Sequence, residues 1–281
     1  MFGEFAYTFF DHTVHEINRV CTITQHPERP KPLREWDQIY MLAGSLLTQA
    51  KLVADYIHGK NVVMIGDGDC MSLVVAVLSS AAGRLGTSPP VITSPHRILV
   101  LDFDRRLVKF INDTAAELRL PKDFLVAREY NVMDSVPRSC VGKFDVFYVN
   151  PPYGSADRGE CGQIFISRGM EACVPNSRGI ALLPYSEEDD WSREAMFSIQ
   201  KFAVGCGYAV SDMMTGLHQY HLADRPTLHS GVVVFDRLSD EKSPYHGRNL
   251  DPGKHPHFYG KSAKQIPTYI DLDGKAIYAN A

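Results

Sequence analysis

The chain has no run of roughly eighteen apolar residues, so no membrane-spanning helix is expected. It has no leader-like apolar segment either: Met1-Phe-Gly-Glu-Phe5 is short and already charged, and the expectation is a soluble cytoplasmic protein without a signal peptide. Its six cysteines, at positions 21, 70, 140, 161, 173 and 206, show no C-x-x-C pair and no regular spacing. That pattern points away from a zinc site or a disulfide framework and toward reduced thiols. An excess of one charge is missing as well: 29 Lys and Arg stand against 33 Asp and Glu, a net charge of −4. Dedicated nucleic-acid binding needs clustered cations, so the balance argues against it while leaving room for local basic patches. There is no internal repeat. What is present is length and apolar content: 281 residues at 44% hydrophobic suffice for one large α/β domain or two small ones.

Strands and helices alternate from about residue 36. Apolar residues at helical spacing, from Ile39 through Leu46, Ala50 and Val53 to Ile57, predict a helix over 36–58 that ends at Gly59. Residues 61–65 read as a strand, followed by the turn Gly66-Asp67-Gly68-Asp69 and a helix to about Ala82. Further strands are expected at 96–101, 124–130, 143–149, 179–183, 208–214 and 231–235, with helices at 105–118, 163–172 and 191–205. Repeated β-α-β units require right-handed crossovers and a mostly parallel sheet with helices on both faces. The last strand pair is expected to supply an antiparallel edge. Residues 1–35 read as an N-terminal extension, 36–237 as the catalytic domain, and 238–281, rich in Pro, Gly, His and Tyr, as a loosely packed tail.

The carboxyl ends of these strands carry the candidate site. Open α/β sheets bind ligands there. The turn Gly66, Asp67, Gly68, Asp69 allows close backbone approach and opens a helix, whose amides favour polar ligand atoms. About 35 residues on, Asp102 and Asp104 end the second strand, where one carboxylate can accept from both hydroxyls of a ribose. Asp134 follows the third strand and is expected beside an adenine amino group. Each acid also reads as a helix cap or turn former. After the fourth strand come Asn150, Pro151, Pro152 and Tyr153. Two prolines fix φ and remove two backbone donors, leaving a rigid corner rich in carbonyls. An Asn amide oxygen and the next carbonyl can both accept from one NH2 group, and Tyr153 offers a ring face to a planar acceptor. The corner resembles the N-P-P-Y motif IV of S-adenosylmethionine-dependent amino-methyltransferases.

A longer resemblance runs through residues 29–38, 59–69, 100–107 and 142–152, and continues in Phe165 to Gly169, Gly179 to Leu183 and Ser211 to Met214. These segments are similar to the branched-chain polyamine synthases, the N4-bis(aminopropyl)spermidine synthase family, which alkylate a polyamine nitrogen with decarboxylated S-adenosylmethionine. The resemblance implies a doubly wound, mostly parallel Rossmann-like methyltransferase sheet with an antiparallel edge strand. It aligns Asp67 and Asp69 with the family's acidic turn, Asp102 and Asp104 with its second-strand acids, and Asn150 with a position usually held by Asp. It also implies an N-terminal winged-helix-like domain, for which the 28 residues before Arg29 leave no room.

Asn at position 150 removes a charge where a polyamine nitrogen would lie, and an aliphatic ammonium needs a base before it can attack. The reading taken from sequence is therefore methyl transfer from S-adenosyl-L-methionine to an amine nitrogen, with adenine N6 or another planar amine as acceptor. Its alternatives are aminopropyl transfer from decarboxylated S-adenosylmethionine, and a catalytically silent Rossmann-like binding protein. The acceptor is a small molecule or a nucleobase, nucleic acid remains open as a substrate, no membrane is involved, and a homodimer is compatible. His218, His221 and His229 have spacings a metal can use, but no Cys or carboxylate cluster completes a set, so no metal is expected. Glu187 to Asp190 reads as a helix start or, for a polyamine, a cation-binding rim. Trp36, Asp37 and Gln38 are expected to close over the cofactor, and 154–162 to form a mobile lid.

Overall fold

In a computed structural model, residues 12–79, 90–152, 156–186, 188–255 and 257–259 are described. The strands are β1 Asn61–Ile65, β2 Arg97–Asp102, β3 Leu125–Glu129, β4 Phe144–Val149, β5 Cys173–Tyr185, β6 Tyr208–His218 and β7 His229–Arg237. The helices are α1 Val14–Thr24, α2 Ala43–Ile57, α3 Met71–Leu78, α4 Arg105–Glu117, α5 Glu160–Ala172 and α6 Asp190–Gly205. One seven-stranded sheet runs in the order β3-β2-β1-β4-β5-β7-β6. β1 pairs in parallel with β2 and β4, β2 with β3, and β4 with β5, while β7 lies antiparallel between β5 and β6. The doubly wound Rossmann-like sheet expected from sequence is present, with its antiparallel strand one place in from the edge. The order reverses at β1, so the crevice past β1 and β4 is the ligand position of such sheets.

Both faces are covered. α1 to α4 pack on one, through Val20, Leu46, Val53, Leu73, Val74 and Phe110; α5 and α6 pack on the other, through Ile164, Phe165, Ile166, Ile199 and Ala203. Parallel strands buried on both sides read as continuous apolar runs, as Val62 to Ile65 and Val146 to Val149 do. Phe147 has its ring pressed against two glycines: a Cβ on Gly169 would come within 2.5 Å of it, and one on Gly179 within 2.1 Å.

Two elements depart from expectation. The helix read over 36–58 begins at Ala43, and residues 37–42 form a strap that leaves a left-handed turn at Asp37 and then runs extended. Met41 N–H is taken by the Asp69 carboxylate at 2.7 Å and Leu42 N–H by the Gln219 carbonyl at 2.9 Å, so neither is free for a helical turn. The tail is not loose over its described part. No helix covers the sheet between β3 and β4; Tyr130, Val132, Met133, Val136 and Cys140 pack there, and Tyr245, Leu250, Phe258 and Tyr259 close over them. Arg168, fully buried on α5, pins this cover by donating to the Tyr245, Arg248 and Val132 carbonyls at 2.8–2.9 Å and pairing with Glu171 at 3.1 Å.

Candidate active site

A cavity of about 100 Å³ opens past the carboxyl ends of β1, β2 and β4, lined by residues of the strap, the three strand-end turns and α5. Gly66 leaves β1 at φ +75°, and a Cβ there would stand 3.1 Å from the Phe165 ring, so the turn needs glycine both for its backbone and for this contact. The Asp67 carboxylate faces the other way. It accepts from Met71 N–H at 2.7 Å and Ser72 N–H at 3.1 Å, capping α3, and lies outside the cavity lining. Gly68 and Asp69 do line it. Asp69 accepts from Met41 N–H through Oδ1 and from Asn150 Nδ2 through Oδ2, at 2.8 Å, which ties the β1 turn, the strap and the proline corner together. Burial raises the Asp69 carboxyl above its ordinary range, against the lowering effects of Met41 N–H, Arg29 and Asn150.

Asn150, Pro151 and Pro152 all line the cavity. With Nδ2 committed to Asp69, Asn150 has its amide oxygen as the acceptor for a substrate N–H. Tyr153 lies outside the described residues. At the end of β2, Asp102 faces the cavity and accepts from Asp67 N–H at 2.7 Å and Asp104 N–H at 2.8 Å, one bond to each oxygen. The Phe103 N–H donates to this carboxylate as well, and burial, against these three bonds, pushes it up to about 6. Asp104 is turned away: it caps α4 through Arg106 N–H, pairs with the Arg106 guanidinium and receives Gln38 Nε2 at 3.0 Å. Burial alone would raise it, but the bonds from Arg106 and Gln38 outweigh that and hold it low. Asp134 also lies outside the cavity lining, in a turn closed by its own N–H on the Asn131 carbonyl at 2.9 Å. Thus Asp69 and Asp102 reach the cavity, whereas Asp67, Asp104 and Asp134 serve turns and helix starts.

Residues absent from the motifs complete the walls: Ile39, Tyr40, Phe103, Phe165 and Leu228. Trp36, Asp37 and Gln38 line it too, at the start of the strap, and Tyr220 joins them, its strand-like bridge to Met41 setting it beside them. The Asp37 carboxyl is raised chiefly by burial, with Arg34 opposing and Asp157 adding. Phe103, between two acids, and Phe165, in the segment 165–169, carried a signal only through those neighbours. Three other expectations find different places. His218 is on β6, bonded to Ser230, with burial pushing it down to about 3, and among the described residues no group of His, Cys, Asp and Glu could hold a metal. Gly159 and Gly162 pack on α6, where Cβ atoms would meet Ala195 and Ile199 at 3.0 and 2.5 Å, so this half of the expected lid is fixed. In the acidic run, Asp189 and Asp190 start α6 and Glu188 accepts from Thr227; Glu187 lies outside the described residues.

The lining holds three carboxylates, Asp37, Asp69 and Asp102, and among the described residues no Lys, Arg or His. Such a cavity favours cations and repels anions.

Known proteins resemble this one in both sequence and fold. N(4)-bis(aminopropyl)spermidine synthase of Thermus thermophilus is 26% identical over 195 residues, covering 69% of this chain and 50% of that protein. Its counterpart from Thermococcus kodakarensis is 25% identical over 198 residues, covering 69% and 50%. This chain spans about half the length of these relatives. Among solved structures, a mutein of the Thermus thermophilus branched-chain polyamine synthase, in complex with N4-aminopropylspermidine and 5′-methylthioadenosine, superposes with a TM-score of 0.65. That match, at 23% identity, covers 84% of this chain and 66% of the other. A family profile described as the branched-chain polyamine synthase A C-terminal domain matches residues 17–228. The chain belongs to the branched-chain polyamine synthase A C-terminal domain family.

Proposed function

We propose that this protein transfers an aminopropyl group from decarboxylated S-adenosylmethionine to an amine nitrogen of a polyamine. The observation that carries the reading is the charge of the cavity, three aspartates in a described lining that holds no Lys, Arg or His, with Arg29 and Arg34 acting on two of them from outside it. Decarboxylated S-adenosylmethionine presents a sulfonium and an ammonium, both attracted here. S-adenosylmethionine adds a carboxylate, which would lie among like charges with no cation in the described lining to hold it. A nucleic-acid acceptor meets the same difficulty through its phosphates. The relatives' names and the polyamine in the superposed structure support the same choice. Methyl transfer, the first choice from sequence, rested on the loss of a carboxylate at position 150; Asp69 lies hydrogen-bonded to that Asn150 and supplies one.

In the proposed reaction the acceptor nitrogen sits between the Asn150 oxygen and Asp69, with Pro151 and Pro152 stiffening the corner. Asp69, raised by burial, takes the proton that an aliphatic ammonium must lose before it attacks. The nitrogen lone pair then forms a C–N bond to the methylene on sulfur, the C–S bond breaks, and 5′-methylthioadenosine leaves. Holding both partners in line contributes most of the rate. Asp102, at the end of β2, accepts from the donor's ribose hydroxyls. In this reading residues 36–237 hold both substrates, residues 1–35 are an extension, and the described part of the tail, 238–255 and 257–259, is a cover. Calorimetric titration with the two donors tests it: the decarboxylated form is expected to bind more tightly, and a clear preference for S-adenosylmethionine would return the assignment to methyl transfer.

A further inference from the structure

The cavity ends at Phe103 and Phe165, and the rings beyond them belong to the C-terminal segment. Tyr259 leans on Phe103 with centroids 4.2 Å apart and ring planes tilted by 43°, and Phe258 is stacked with Phe165 at 6.2 Å and 25°. The Tyr259 hydroxyl donates to Asn131 Oδ1 at 2.6 Å and accepts from Val132 N–H at 3.2 Å. Asn131 Oδ1 also accepts from Met133 N–H at 3.0 Å, which fixes the amide with its oxygen toward the phenol. This acceptor beside a donor complements the 6-amino edge of adenine, where an NH2 group adjoins the unprotonated N1. A phenol O–H, donating and accepting at one atom, satisfies both protein groups at once. The site also lies where a base would fall. Asp102 pairs in register with Glu129, two residues before Asn131, so a ribose on Asp102 places its base toward Asn131 and the face of Phe103.

The occupant is held by bonds separate from its own ring. Arg168 fixes the Val132 carbonyl and also the Tyr245 and Arg248 carbonyls, and Leu250 N–H reaches the Met133 carbonyl at 2.6 Å. Tyr259 itself sits at φ +60°, in the left-handed region that side chains other than Gly disfavour. The segment can therefore release residues 257–259 while its anchor at 245–250 stays in place.

We infer that Tyr259 stands in the purine site of the nucleoside donor, so that the C-terminal segment and the donor compete for Asn131 and Val132. The inference rests on the proposed donor and adds an internal competitor. A site open for only part of the time binds with its affinity reduced by that fraction, and weakening the occupant restores it.

The full chain and its Tyr259→Phe variant, which keeps the ring and loses the hydroxyl, are titrated with 5′-methylthioadenosine by calorimetry. Hydrogen exchange of residues 257–259 is followed in parallel, with and without the nucleoside. Loss of two hydrogen bonds predicts tighter binding by the variant, on the order of 5–30-fold, and in the wild type the nucleoside is expected to strip protection from 257–259. Equal or weaker binding by Tyr259→Phe, or greater protection of 257–259 on binding, would make Tyr259 a wall of the donor site and overturn the inference while leaving the donor assignment standing. Failure of both proteins to bind 5′-methylthioadenosine would remove the donor assignment and this inference together.

Discussion

Replacing Asp69 by Asn tests the base and the acceptor site in one step. Asp69 receives two bonds, from Met41 N–H and from Asn150 Nδ2. An Asn at 69 can still accept from Met41 with its oxygen, but its NH2 then faces the Asn150 NH2. Two donors cannot pair, so Asn150 rotates and presents its own NH2 to the cavity. The variant thus loses the proton acceptor and, in the same motion, the amide oxygen that holds the substrate nitrogen. A positioned base contributes roughly 100- to 10,000-fold, equivalent to about 3–5 kcal/mol of barrier. The expectation is a kcat lower by at least that factor, measured by chromatography of the polyamine product, with the thermal midpoint reduced only modestly because Met41 keeps its partner. The double variant Asp69→Asn with Asn150→Asp restores a carboxylate and a complementary donor and should recover part of the loss. Activity of Asp69→Asn within tenfold of wild type would refute the role of Asp69.

Removing Arg168 as Arg168→Ala leaves Glu171 buried without its partner and three carbonyls without their donor, so about 3–5 kcal/mol of stability should be lost in denaturant unfolding. Gly179→Ala would bring a methyl to 2.1 Å from the Phe147 ring, and overpacking of this kind costs roughly 1–3 kcal/mol or more, read as a lower thermal midpoint. Stability should also depend on pH in an unusual direction. Burial raises Asp67 to about 7 and Asp102 to about 6 from an ordinary 3.8, so between these values the folded state binds more protons than the unfolded chain. Stability then falls as pH rises across that window, a melting series without ligand from pH 4 to 7 should show the decline, and Asp102→Asn should flatten it.

The sheet was legible because its strands are buried on both faces and so write continuous apolar runs at 62–65 and 146–149. The corner at Asn150 and the acid Asp69 were legible as well, since strand ends in such sheets converge. What could not be read was direction. Asp67, Asp69, Asp102 and Asp104 look alike in sequence, and only the folded backbone decides which cap α3 or α4 and which face the cavity. The strap at 37–42 carries apolar residues compatible with a helix, and its extended form depends on Asp69 and Gln219, 28 and 177 residues away from their partners Met41 and Leu42. The carboxylate beside Asn150 was missed for a related reason: Asn150 suggested a site without one, and Asp69 reaches it from another strand.

Product analysis addresses the central claim most directly. The protein is incubated with spermidine and each sulfonium donor in turn, and the products are separated and weighed by mass spectrometry. The account predicts 5′-methylthioadenosine and an aminopropylated polyamine from decarboxylated S-adenosylmethionine, and no turnover with S-adenosylmethionine. S-adenosylhomocysteine together with a methylated amine would contradict it.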